Sequence, residues 1–199
     1  MTLIAPFDFF RQVVHFIDPD LSAEAMDFLC QGLKQKNLKA KEYVVDTRKI
    51  HADISFVAQG LVRGYYVDSK GNEITTRLIQ EGNFATHYRA FLDQQPSKYI
   101  FQCLAPCTLL YFNYQHIQKA YKLYPETERF GRLVAEGIIN ILESRMESFQ
   151  FMNAEERYLQ FINQNPDLFN RISLEHLSSY LGIQRPSLSR IRRKLTQNQ

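Results

Sequence analysis

The spacing of hydrophobic residues changes twice along the 199-residue chain. The first forty residues repeat apolar positions at helical intervals, and Ser22 stands where it would cap a helix. The chain then continues as short runs rich in Val, Ile, Tyr, Phe and Thr, which is typical of β-strands. A turn sequence between Asp68 and Glu73 predicts a β-hairpin over residues 61–79. Six or more such runs without intervening helices predict an antiparallel sandwich or barrel.

A long amphipathic segment follows the predicted strands. From about Pro125 the apolar residues return to helical spacing and form one broad stripe, which predicts a helix over 125–151. The stripe consists of Phe130, Leu133, Val134, Gly137, Ile138, Ile141, Leu142, Arg145 and Phe149. Such a face must be buried, either on the β domain of the same chain or against a second copy. The length of the stripe favours a homodimer through residues 130–149.

A set of shorter helices is predicted after this long one. Asn153, with a glutamate three residues later, forms a capping-box pattern and places a boundary near residue 152. Ser173 is a good N-cap for a helix that ends at Gly182, a residue suited to a left-handed terminus. Pro186 then falls in the first turn of another helix, where its missing N–H has no intrahelical partner to lose. Two short helices joined by a tight glycine turn are typical of a helix-turn-helix.

Positive charge is concentrated in this last segment. The formal net charge is +3, but residues 171–199 carry six basic side chains against the single acid Glu175, and the rest of the chain sums to −2. This pattern favours a module that binds a polyanion, here double-stranded DNA read by the helix over 184–195. A solvated basic helix that binds nothing is the alternative. The candidate DNA-contacting residues are Ser173, Gln184, Arg185, Ser187, Arg190, Arg192, Arg193 and Lys194.

The stretch LSSYLGIQRPSLSRIRRKL (177–195) is similar to the helix-turn-helix pattern of the Crp–Fnr transcription regulators. The order of elements along nearly the whole chain also resembles that family. The resemblance implies an α+β fold with three parts. These are a cyclic-nucleotide-binding-like sensor domain over 1–124, a dimerisation helix over 125–151 and a helix-turn-helix DNA-binding domain over 152–199. The sensor domain would be an antiparallel double-stranded β-helix, a jelly-roll-like β-roll, with flanking helices.

The same resemblance assigns roles within the last helix. It implies that Arg185 and Arg190 read bases, while Gln184 and Ser187 lie near phosphates. The family usually has glutamate where this chain has Pro186. Because glutamate accepts a hydrogen bond from cytosine N4, its loss changes the base preference that the family pattern would imply.

The residues expected to hold an effector depart from the family pattern. Nucleotide-binding members carry a glutamate for the ribose and an arginine for the cyclic phosphate. The corresponding stretches here are Ala-Thr-His at 85–87 and Ser-Lys-Tyr at 97–99. The expected effector is therefore something other than cyclic AMP, or none, and no cofactor is expected. The alternative function is a small-ligand or cyclic-nucleotide sensor with weak or degenerate DNA binding. The candidate pocket residues are Glu81, Gly82, Phe84, His87, Arg89, Ser97 and Lys98.

Other classes of function find little support in the sequence. No nucleophile–base pair, glycine-rich phosphate loop or paired carboxylates stand out, so an enzyme is not expected. Three cysteines are an odd number, Cys103 and Cys107 are placed as core residues, and His51 and His87 are isolated, so no metal site is expected. No apolar run approaches the ~20 residues of a membrane span, and no secretory leader is recognised. A cytoplasmic location is expected.

Overall fold

The computed structural model describes residues 4–197. The helices are α1 (Pro6–Ile17), α2 (Ala23–Gln31), α3 (Tyr88–Leu92), α4 (Tyr114–Leu123), α5 (Glu126–Phe151), α6 (Ala154–Gln164), α7 (Pro166–Phe169), α8 (Leu174–Leu181) and α9 (Arg185–Gln197). The strands are β1 (Leu33–Leu38), β2 (Tyr43–Val45), β3 (Asp53–Gln59), β4 (Val62–Val67), β5 (Glu73–Ile79), β6 (Phe84–Ala85), β7 (Ile100–Cys103) and β8 (Cys107–Asn113).

The strands form two antiparallel four-stranded sheets, in the orders β1-β8-β3-β6 and β2-β7-β4-β5. Both sheets contribute to one buried apolar cluster that includes Val57, Val62 and Leu109. This is the predicted jelly-roll-like β-roll, followed by the long helix and the C-terminal helices, and the predicted α+β fold is confirmed. Cys103 and Cys107 lie in the same cluster and are core residues, as expected.

The hairpin predicted over 61–79 is confirmed as β4 and β5, with Val62 paired to Ile79 and Val67 to Glu73. Its turn is held by Asp68, whose Oδ1 accepts from the backbone N–H groups of Lys70 and Asn72, both at 2.8 Å. The Asp68 carboxylate thus accepts from backbone N–H groups that have no strand partner in the turn. β5 is the last strand of its sheet, so one of its two edges faces away from β4.

Aromatic side chains fix the helices to the outer face of the first sheet. Phe10 of α1 lies with its ring 5.2 Å from that of Phe56 and 5.1 Å from that of Phe112. Phe130, near the start of α5, joins the same core and is only 7% exposed. Ser22 caps α2 as predicted, since its Oγ accepts from the N–H of Ala25.

The predicted stripe of α5 is divided between two directions. Its first half faces the β-roll of the same chain, where Phe130 and Val134 pack into the core. Its second half exposes Ile139 (57%), Leu142 (45%) and Met146 (54%). The spacing of three and four residues places these side chains on one side of the helix. Pairing of two protomers through residues 130–149 stays a prediction. Ile139 and Met146 were not part of the stripe predicted from the sequence.

Helices α6 to α9 share a third apolar cluster, which includes Phe161, Leu177 and Leu188. Leu61, in the loop before β4, is fully buried in that cluster. The C-terminal helices are therefore docked on the β-roll and do not stand apart from it.

Candidate functional site

The turn between α8 and α9 is short and is fixed by local contacts. Ser173 caps α8 through its Oγ, which accepts from the N–H of His176 at 3.1 Å. Gly182 ends the helix with a φ of 62°, a left-handed conformation that favours glycine. A Cβ at this position would also lie 2.5 Å from the Phe149 ring of α5. Ile183 is then buried to 6% exposure, and its N–H bonds to the carbonyl of Ser178.

Helix α9 buries one side and leaves the other to solvent. Leu188 is fully buried and Ile191 is 9% exposed, as the spacing predicts. Pro186 lies in the first turn, which agrees with its predicted place at the helix start. Arg190 and Arg193 are exposed and three residues apart, so they lie on the same side of the helix.

The residues predicted to contact DNA differ in their surroundings. Gln184 and Arg185 are exposed at the N-terminal end of α9, and Ser187 is half-buried beside them. The Nζ of Lys194 lies 2.9 Å from the Glu155 carboxylate of α6. The guanidinium of Arg192 stacks over the Phe169 ring at 5.0 Å. Ser173 caps the N-terminal end of α8. The contacts of Lys194 and Arg192 help to fix α9 on α6 and α7.

The residues predicted to form a ligand pocket are not brought together. Glu81 points to the C-terminal module, where it accepts two hydrogen bonds from Arg171, at 2.8 and 2.9 Å. Gly82 lies under α1, and Phe84 is packed between Phe56 and Phe130 in the core. The side-chain contacts of Glu81 and Phe84 thus lie with the C-terminal module and with the core, and not with His87.

His87 and Ser97 are in contact with each other. The family resemblance places these two residues at the positions of the glutamate and arginine that bind the nucleotide. His87 Nδ1 and Ser97 Oγ are 3.1 Å apart, and Ser97 is only 3% exposed. The ring of Tyr99 closes against His87 edge to face at 4.9 Å. Arg89 bonds to Asp93 on the surface and Lys98 is exposed, so neither side chain is turned into this cluster. Where the family pattern has an arginine for the cyclic phosphate, this chain has Ser97, whose hydroxyl is already hydrogen-bonded to His87.

His51 lies behind this cluster and was not singled out as a site residue by the sequence. Its Nε2 is 2.8 Å from Thr86 Oγ1, and it accepts the backbone N–H of His87 at 3.2 Å. Because Nε2 acts as an acceptor, the neutral ring carries its proton on Nδ1. Burial, together with the neighbouring His87, lowers the pKa of His51 to about 4.

A second set of contacts that the sequence did not reveal joins the β-roll to the C-terminal module. Arg171 donates to the carbonyl of Gly60 as well as to Glu81. Ser179 Oγ of α8 accepts the N–H of Thr75 at 2.8 Å and donates to the carbonyl of Glu73 at 3.1 Å. These partners are 90 to 111 residues apart in the chain, so no local pattern could have indicated them.

Within residues 4–197, no group of three or more His, Cys, Asp or Glu side chains is placed to hold a metal ion. None of the helices in that part of the chain is long and apolar enough to cross a membrane.

Residues 35–124 match the family model of the cyclic nucleotide-binding domain. Among curated proteins, none matches this sequence. Several solved structures are similar in fold. CLP of Xanthomonas campestris, a global regulator that responds to c-di-GMP, is 14% identical with a TM-score of 0.71, over 89% of this chain and 93% of that one. FixK2 of Bradyrhizobium japonicum is 15% identical with a TM-score of 0.72, over 83% of this chain and 85% of that one.

A protein of Eubacterium rectale, described as a transcriptional regulator of the Crp/Fnr family, is 13% identical with a TM-score of 0.69, over 90% of this chain and 86% of that one. These identities are low, so the likeness concerns the fold, which extends over most of each chain. The β-roll is thus of the cyclic nucleotide-binding domain type, and the chain as a whole has the fold of these regulators.

Proposed function

We propose that this protein is a DNA-binding transcription regulator of the Crp–Fnr type that acts as a homodimer and not as an enzyme. The observation that carries the proposal is the α8–turn–α9 geometry, in which Gly182 turns the chain and Arg185, Arg190 and Arg193 stay exposed on the second helix. In helix-turn-helix proteins this second helix enters the major groove with its N-terminal residues towards the base edges. Such a function places the protein in the cytoplasm, with DNA as its partner.

The dimer is supported by the exposed side chains Ile139, Leu142 and Met146 on the second half of α5. A second copy of the same helix offers an equally apolar surface, and their spacing suits a helix pair. Two α9 helices would then read half-sites about one helical turn, ~34 Å, apart.

The effector, if there is one, is not cyclic AMP. The support is the His87–Ser97 contact, which occupies the positions of the ribose and phosphate ligands with two groups that bond each other. A small-ligand or cyclic-nucleotide sensor with weak DNA binding is the second candidate, and it is favoured by the match of residues 35–124 to the cyclic nucleotide-binding domain.

The test is selection of bound fragments from random duplex DNA by the purified full chain, without added ligand, at two salt concentrations. We expect an enriched palindrome. Arg185→Ala should weaken binding by about 1–3 kcal/mol and relax specificity at one base, while Arg193→Ala should weaken all sequences alike. The two variants are matched controls for each other, because both remove an exposed arginine from α9.

Salt-sensitive binding without any sequence preference would contradict the assignment of Arg185 to a base, since phosphate contacts alone give that pattern. No binding at either salt concentration would favour the sensor with a degenerate DNA-binding module.

A further inference from the structure

A cavity of about 350 Å³ lies between the β-roll and the C-terminal module. Its walls come from β5, the second half of α5, α6 and the end of α8. It is separate from the His87–Ser97 cluster, which contributes no residue to its lining. The volume is within the range of roughly 300–1,000 Å³ found for small-molecule sites.

Three arginines line this cavity: Arg77 from β5, Arg145 from α5 and Arg157 from α6. None of the lining residues within the described part of the chain carries a carboxylate. No acidic side chain of residues 4–197 forms an ion pair with any of the three. The cavity therefore holds three positive charges without a counter-charge from the chain.

The three guanidinium groups are held in place by backbone carbonyls. Arg77 donates to Thr86 and Phe84, both at 3.2 Å. Arg145 Nη2 donates to the carbonyls of Thr75 and Tyr180, at 3.2 and 2.8 Å. Carbonyl dipoles orient a guanidinium but do not neutralise it, so the positive potential in the cavity remains.

Arg157 is fixed in the same way, with Nε donating to Leu181 at 3.0 Å and Nη1 to Met152 at 2.6 Å. Burial lowers the pKa of Arg77 to about 10, which leaves it charged at neutral pH. Burial also lowers the pKa of Arg145.

Arg145 has donor capacity that the chain leaves unused. Its Nε is buried and has no hydrogen-bond partner among the described residues. Leaving a buried donor unsatisfied is costly, and a charged one more so. The guanidinium is stacked between the rings of Phe149, at 4.7 Å, and Tyr180, at 4.9 Å. The guanidinium is thus held rigidly in one orientation where Arg145 lines the cavity.

We propose that this cavity binds a small, multiply charged organic oxyanion, a phosphate ester or a polycarboxylate, held by Arg77, Arg145 and Arg157. Carboxamide side chains such as Gln160 and Gln164 add neutral donors to the lining, and the Phe149 and Tyr180 rings suit a planar part of the ligand. Because the walls belong to both the β-roll and the helical module, a bound anion links the two. That regulatory consequence rests on the proposed function, whereas binding itself does not.

The arginines are poor targets for mutation because each also holds backbone carbonyls. Gln160→Glu is a better test, since it changes the charge in the cavity and keeps the size of the side chain. We expect the full chain to bind pyrophosphate, citrate or adenosine monophosphate in calorimetry, and Gln160→Glu to weaken that binding at least tenfold. The same variant should raise the melting temperature of the ligand-free protein, because its carboxylate supplies the missing counter-charge.

Gln12→Glu is the matched control, because Gln12 is exposed on α1 and does not line the cavity. It should bind each anion as the unmodified protein does. A preference for pyrophosphate or adenosine monophosphate would identify a phosphate ester, and a preference for citrate a polycarboxylate.

Two results would overturn the proposal. One is a dissociation constant above about 1 mM for each of pyrophosphate, citrate and adenosine monophosphate. The other is equal binding by Gln160→Glu and the unmodified chain. Calorimetry is done without DNA, so either result leaves the proposed DNA binding to its own test.

Discussion

The imidazole of His51 is held neutral by its surroundings. Protonation of Nε2 would remove the acceptor for the N–H of His87, and it would place a charge in a site that is only 5% exposed. The pKa in the folded chain, about 4, is below the usual 6.5, so the unfolded chain takes up a proton first as the pH falls. The contribution of His51 to stability is complete above pH 6.5 and is lost between about pH 6.5 and 4.

We therefore expect the free energy of unfolding to decrease over this pH range by at most about 3 kcal/mol on account of His51. Denaturant unfolding at several pH values measures it. His51→Gln should flatten the dependence, because glutamine keeps an acceptor for the His87 N–H and does not titrate. His15→Gln, at an exposed position on α1, is the control and should retain the slope. Equal slopes for the unmodified protein and His51→Gln would contradict this account.

Local signals at single residues were readable from the sequence. The Ser22 and Ser173 caps, the capping box at Asn153 and the left-handed Gly182 each depend on neighbours within a few residues, and all are present. His51 contacts Thr86, which is 35 residues away in the chain and directly follows β6. Such a contact is fixed only by the tertiary fold, so no local pattern in the sequence could indicate it.

At the scale of elements, α5 shows what periodicity can and cannot predict. The sequence located the helix and its apolar character, but periodicity alone does not say which apolar residues meet the chain's own β-roll. Phe130 and Val134 do, while Ile139 and Met146 remain exposed. Arg145 was placed in the predicted protomer interface. It instead donates to Thr75 and Tyr180 within its own chain, so a substitution there would test internal docking and not pairing.

The exposed side chains Ile139, Leu142 and Met146 give a direct test of the dimer. Met146→Glu places a charge among the apolar side chains that we expect to pair, and it should raise the dimer dissociation constant at least about tenfold. Sedimentation velocity over a range of protein concentrations measures this. Phe16→Glu is the matched control, because Phe16 is 86% exposed on α1, outside the stripe. An unchanged dimer in Met146→Glu would show that this side of α5 is not the interface.

At the scale of the whole molecule, the docking of the C-terminal helices on the β-roll is held by few polar contacts. The bidentate Arg171–Glu81 pair is about one-third exposed on each side, so its effect on global stability is within about 1 kcal/mol. Burial alone would raise the pKa of Glu81, but the hydrogen bonds from Arg171 and from backbone N–H groups lower it overall. The stabilisation from this pair is therefore present above pH 4.5, the usual value for glutamate, and is lost as the pH falls below it.

We expect Glu81→Gln to loosen the docking without unfolding the chain. Amide hydrogen exchange at neutral pH should accelerate in α8 and at Thr75, whose N–H is bonded to Ser179, while the free energy of unfolding changes by no more than about 1 kcal/mol. Asp46→Asn, which removes the exposed pair with Arg48, is the control and should leave exchange in α8 unchanged. Unaltered exchange in Glu81→Gln would mean that the Arg171–Glu81 pair does not contribute to docking of the module.

The bonds from Ser179 and Arg145 to Glu73 and Thr75 have a consequence for the β-roll on its own. They occupy the outer edge of β5, the last strand of its sheet, with one side-chain hydroxyl and one guanidinium. Unpaired strand edges are templates for the strands of other molecules, and native proteins usually cover them. In a fragment that ends after β8, this edge of β5 would be exposed, and the fragment would tend to self-associate through it. By covering this edge, the C-terminal module thus also protects the preceding domain against aggregation.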